Sequence, residues 1–142
     1  MTSFKIAGLE VTVHGRQFPD SNDYWDGNWL YVSARCDGPG SYASASGSFL
    51  RVPELAAWLV ALKQMSKTLS GKADLETTEP NLALKMVINK LGQIDLSVSI
   101  TPDHLTQDHR FDFEIDQSYL APLIQQLEAV LKEFPMTGKP RD

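Results

Sequence analysis

The stretch LALKMVINKLGQIDLSVSI, residues 82–100, decides the fold. Leu82, Leu84, Met86 and Ile88 occupy every second position, and so do Ile94, Leu96, Val98 and Ile100. A period of two marks a strand with one buried face, because successive side chains point to opposite sides. LGQ at 91–93 is short enough to fold one strand back on the other as a hairpin. Phe111, Phe113 and Ile115 then give a further strand beyond the longer loop TPDHLTQDH at 101–109.

Outward from this core the same plan recurs. Leu9, Val11 and Val13 mark a strand after Gly8, residues 14–28 lose the alternation, and WLYVSARC at 29–36 resumes it. DGPG at 37–40 turns the chain into YASASGSFL at 42–50. A helix is expected over 53–69: Pro53 suits a first helical position, Leu55, Trp58, Leu59, Leu62, Met65 and Leu69 recur at helical spacing, and Gly71 stops the pattern. A short ADLET strand at 73–77 precedes the hairpin. A closing helix is expected over 118–133, with Asp116 or Ser118 as cap and Pro122 in its first turn.

These elements predict one α+β domain over residues 1–136, a mostly antiparallel sheet of six to eight strands with two helices on one face. Residues 137–142 are expected to fray. FLRVPELAAWLVAL at 49–62 falls on EIDQSYLAPLIQQL at 114–127 at a shift of 65, which suggests an internal pseudo-repeat of strands then helix. Gene duplication and similar pressure on similar elements explain this equally well.

Composition narrows the function. The 142-residue chain carries a net charge of −5. Residues 1–71 hold six acids and six bases, whereas residues 72–142 hold twelve acids against seven bases. This disfavours direct binding of nucleic acid, whose phosphates call for a basic patch, and suits a basic protein partner. No run reaches the roughly 18 apolar residues of a membrane span, and MTSFKIAGLE lacks the apolar centre of a secretion signal. A single cysteine, Cys36, fits a reducing compartment, so a cytoplasmic location is expected. Homo-oligomerisation is left open.

No nucleophile elbow, phosphate loop, HExxH or CxxC is present. His104 and His109 sit on the 101–109 loop at a spacing that matches no zinc signature. Neither catalytic residues nor a cofactor or metal site are therefore expected.

Two places remain as partner-binding candidates. DYWDGNWL at 23–30 gathers Asp23, Trp25, Asp26 and Trp29 where a loop enters a strand. Its Asp26-Gly27 and Gly27-Asn28 pairs are turn dipeptides, but the aromatics exceed what a turn needs and suit a protein contact. The second is the sheet face opposite the helices. Alternation places Asp95, Asp112, Glu114 and Asp116 there, as an acidic patch for Arg and Lys side chains or as an ordinary solvated face.

DYWDGNWLYVSARC, the VPELAAWLVAL helix and the late phrase FEIDQSYLAPLIQQLEAVLKEFP together resemble the WapI family of bacterial immunity proteins, from about Glu10 to Pro135. The resemblance implies a small cytosolic protein that binds and neutralises the toxic C-terminal domain of a contact-dependent or secreted polymorphic toxin. In the name-giving system that toxin attacks tRNA. No residue roles carry over. The expected function is a non-enzymatic immunity protein acting by occlusion. The alternatives are a structural or regulatory interaction module, or a small-molecule-binding domain using the Trp25/Trp29 region.

Overall fold

The computed structural model describes residues 2–140. Strands β1 (Thr2–Ile6), β2 (Leu9–Arg16), β3 (Trp29–Gly38) and β4 (Ser41–Arg51) form an antiparallel sheet in sequence order. Helix α1 (Val52–Thr68) follows directly. Strands β5 (Leu82–Ile88), β6 (Gln93–Ile100) and β7 (Arg110–Asp116) make a second antiparallel sheet, also in sequence order. A 3-10 turn at Gln117–Tyr119 leads into helix α2 (Leu120–Glu133). The α+β class is as expected, but the strands divide into two sheets instead of one.

Strand β1 is absent from the sequence reading, because two apolar residues, Phe4 and Ile6, are too few to establish a period. Register makes it a strand: Ile6 lies opposite Leu9 across the two-residue turn Ala7-Gly8. Gly8 is required by space, since a Cβ there would meet the Asp37 carbonyl oxygen at 2.1 Å and the Phe113 ring at 2.9 Å. The segment expected as the ADLET strand is reduced to one bridge, Leu75 with Leu84, next to a second from Lys72 to Val87 just before it. Here Asp74 Oδ1 accepts the Met86 N–H at 3.2 Å, a side chain standing where a ladder carbonyl would be.

The alternating residues do bury as read: Leu9, Val11, Val13, Leu30, Val32, Ala34 and Cys36 join Leu82 through Ile100 in one apolar cluster. Both helices close it. Trp58 of α1 meets Phe4 edge-on at 5.9 Å between ring centroids. Helix α2 packs on α1 and on β1. Its Gln126 Oε1 accepts the Lys5 N–H at 2.8 Å, and Glu133 accepts the Thr2 hydroxyl at 2.6 Å, so α2 covers the outer edge of β1. The two sheets meet where Phe111 and Phe113 of β7 approach Gly38 and Gly8.

Helix α1 begins where Glu54 Oε1 accepts the Arg51 N–H at 2.8 Å, with Pro53 in the first turn. It stops one residue sooner than its apolar spacing suggests. Leu69 turns left-handed at φ 52°, bonds back to Met65 and lies at the surface, so it is a cap and not part of the buried stripe. Asp116 accepts from the Ser118 N–H at 2.8 Å and caps the 3-10 turn before α2, which starts at Leu120 and holds Pro122 in its first turn. No helix among the described residues is long and apolar enough to cross a membrane.

The segment 137–142, expected to fray, is anchored at its start. The Thr137 N–H donates to Asn28 Oδ1 at 3.0 Å, and its carbonyl accepts from Asn28 Nδ2 at 2.9 Å. Arg141 and Asp142 lie outside the described residues.

Candidate partner-binding site

The loop of residues 17–28 is built around Asp23 and Asn28. Asp23 Oδ2 accepts the N–H groups of Trp25 at 3.1 Å and Asp26 at 2.9 Å, and its carbonyl accepts the Gly27 N–H at 2.7 Å. Such a carboxylate turn fixes the backbone of all four residues. Asn28 is fully buried; its Nδ2 also donates to the Tyr24 carbonyl at 2.6 Å, while its own carbonyl accepts the Val52 N–H at 2.9 Å. Arg16 donates to the carbonyls of Gly27 at 2.8 Å and of Pro135. The loop is thus tied to the start of α1 and to the C-terminal tail at once. Gly27 is needed because a Cβ would come within 2.6–2.8 Å of Thr137, Asp23 and Ser21.

The aromatics surround an arginine. The Arg51 guanidinium lies 4.0 Å from the Trp25 ring centroid, 5.2 Å from that of Tyr24 and 5.5 Å from that of Trp29. Its Nη2 donates to the carbonyls of Tyr24 at 2.8 Å and Trp25 at 3.3 Å, and Trp25 meets Trp29 edge-on at 6.2 Å. Arg51 is only 5% exposed. Three π faces and two carbonyls replace part of the water it loses, while its Nε is buried without a hydrogen-bond partner among the described residues. Much of the aromatic signature therefore houses a buried cation. Trp25 nevertheless stays 51% exposed, and with Asp23, Tyr24, Asp26, Lys139 and Pro140 it lines a cleft of about 570 Å³.

The second candidate region is the outer face of the β5–β6–β7 sheet, which forms a shallow depression of about 590 Å³ bearing Lys85, Val87, Asp95, Ser97, Arg110, Asp112 and Glu114. Its four expected carboxylates have different roles. Asp112 is held by Arg110 in a bidentate pair, 2.9 Å at each oxygen, and this hydrogen bonding keeps its carboxyl below the usual range. Asp116 is the cap described above; its bonds from the Ser118 hydroxyl and N–H lower its pKa as well. Asp95 and Glu114 lie directly opposite each other across the β6–β7 ladder. Neither is ion-paired among the described residues. Like charges in that register repel. The patch is thus smaller than four acids, and it is concentrated on this pair.

The structure keeps the two candidate regions apart, one on the loop before β3 and one on the second sheet. Three residues at these places escaped the sequence reading: Asn28, Arg51 and Arg110. Arg110 was legible, because its spacing of two from Asp112 puts both side chains on one face. No group of three or more metal-ligating side chains occurs among the described residues.

Comparison with known proteins gives one family. The model described as the immunity protein WapI-like family matches residues 3–135. No curated protein matches the chain. Among solved structures, the crystal structure of WHY3 from Arabidopsis thaliana is similar at 15% identity and a TM-score of 0.48, over 91% of this chain and 84% of that one. The structure of the plant transcriptional regulator PBF-2 is similar at 14% identity and 0.49, over 96% and 88%. At these values nothing about function follows from either.

Proposed function

This chain belongs to the immunity protein WapI-like family, and from that premise we propose that it is a non-enzymatic binding protein that neutralises a cognate bacterial toxin domain by occlusion. The match over residues 3–135 carries the reading. The charge distribution supports it: the net negative charge lies in the second half of the chain, where the second sheet presents Asp95 and Glu114 side by side with neither in an ion pair among the described residues. A basic partner surface placed on this face would relieve their repulsion and form charge-assisted hydrogen bonds. The protein acts in the cytoplasm, on a toxin whose exposed face is basic.

The test begins with a pull-down from the native host to retrieve the toxin domain by mass. Association rates are then measured for the wild type and for Asp95→Asn combined with Glu114→Gln. Slower association of the double variant at low salt, with the difference shrinking at high salt, is the expected result. Equal rates at low salt would remove the second sheet from the interface. A second reading rests on the cleft beside Trp25, which would take a small molecule or a partner side chain. Quenching of tryptophan fluorescence that Trp25→Phe abolishes would favour it.

A further inference from the structure

The edges of the two sheets are treated unequally. An edge strand presents unpaired N–H and C=O groups, and natural proteins cover such edges or load them with charge. The β1 edge lies under α2, through Gln126 and Glu133. The β5 edge is bridged by Lys72 and Leu75. The β7 edge carries Arg110, Asp112, Glu114 and Asp116 at alternate positions. Along residues 41–46 the β4 edge has neither device: SYASAS contains no charge and no proline, and the bulge of β4 against β3 lies beyond it, between Gly47 and Leu50.

Register shows which groups are free. The Asp37 N–H donates to the Gly8 carbonyl on the β2 side of β3, so by antiparallel alternation Cys36, Ala34 and Val32 bond toward β4. Their partners are Ala43, Ala45 and Gly47. The N–H and C=O groups of Tyr42, Ser44 and Ser46 therefore point outward along the edge, and all three residues are exposed. Tyr42 is further held in place by Arg35, whose guanidinium stacks 3.8 Å from its ring centroid while binding Asp37.

We propose that the β4 edge pairs with β4 of a second copy of this chain, antiparallel about a two-fold axis at Ser44, joining two four-stranded sheets into one. The occupant follows from charge. A two-fold places a strand against its own reversed sequence, so any charged strand risks a like-charge clash. Strand β7 paired in this way would set Asp112 against Glu114, whereas β4 sets Ser44 against Ser44 and Tyr42 against Ser46. The pairing forms about six backbone hydrogen bonds. One strand pair falls short of the roughly 1,200 Å² of a durable interface, so the dimer is weak and concentration-dependent. This goes beyond the proposed immunity role and does not depend on it.

Sedimentation equilibrium of the full chain, up to about 1 mM, tests it. The expected result is a monomer–dimer equilibrium that Ser44→Asp weakens tenfold or more, that Ser44→Thr leaves intact, and that leaves the circular dichroism of all three proteins alike. Ser44→Cys gives an independent readout: paired Cα atoms about 5.5 Å apart permit a disulfide, so mild oxidation should link two chains through this position and not through buried Cys36. A wild-type chain that stays monomeric throughout, or a dimer indifferent to Ser44→Asp, overturns the proposal. So does a chain that is monomeric alone but loses a toxin partner on Ser44→Asp, which would assign the edge to that partner.

Discussion

The guanidinium of Arg51 sits 4.0 Å from the centre of the Trp25 ring, and the same arginine binds the carbonyls of Tyr24 and Trp25. A residue at the junction of β4 and α1 thereby holds the loop that precedes β3. Arg51→Ala should destabilise the fold by about 2–3 kcal/mol, from lost cation–π contacts and the lost donor to the Trp25 carbonyl, while the Tyr24 carbonyl keeps its bond from Asn28. Arg51→Lys should recover only part, because an ammonium cannot reproduce the planar stacking. Urea unfolding followed by tryptophan fluorescence measures both.

Asp23 and Asp26 should behave differently although three residues apart. Asp23→Ala removes the acceptor for two backbone N–H groups and should cost about 1–2 kcal/mol. Asp26→Ala should change stability little. Gly27→Ala should cost about 1 kcal/mol or more, through collision with the carbonyls of Asp23 and Ser21 and with Thr137. Thermal melts of the three variants test the ranking; equal losses for Asp23→Ala and Asp26→Ala would contradict it.

Asp116 predicts an acid limb. Its folded pKa is lowered by the hydroxyl and N–H of Ser118, whereas the unfolded chain titrates near about 3.9. The charged cap therefore contributes fully above the unfolded value, and its contribution is lost as the pH falls through the lower folded value. Asp116→Ala should melt earlier than wild type at neutral pH, and the gap should narrow in strong acid. A gap that stays constant down to about pH 2.5 would show that the carboxylate charge is not what caps the turn.

Cys36 is fully buried in β3, and burial together with the nearby Asp37 charge pushes its thiol up to about 11. The native protein should react with a thiol reagent far more slowly than the urea-unfolded chain. Prompt labelling under native conditions would mean that β3 opens readily.

Much of the second half was legible because its signal is local. Leu82 to Ile100 bury where alternation puts them, and Asp116 and Pro122 take the places their chemistry suggests. What escaped the sequence reading is non-local. Whether strands make one sheet or two depends on contacts such as Phe113 with Gly8, which no periodicity announces. Strand β1 was too short to show a period. The Trp–Tyr cluster read as a binding surface because its buried partner, Arg51, lies more than twenty residues away at what looks like an ordinary helix start. The four acids read as one patch because alternation gives a face but not each carboxylate's neighbours; Arg110 and Ser118 decide which of them remain free.

The covering of β1 by α2 has a consequence for synthesis. Strands β1 to β4 pair with their sequence neighbours and can form early on the emerging chain. Lys5, however, waits for Gln126, and Asn28 waits for Thr137. Until Gln126 and Thr137 leave the ribosome, the nascent chain carries an open β1 edge and an unfastened 17–28 loop. Translation that stalls after β7 would leave a complete first sheet with its β1 edge uncovered, and this is the stage at which a chaperone has the most to protect.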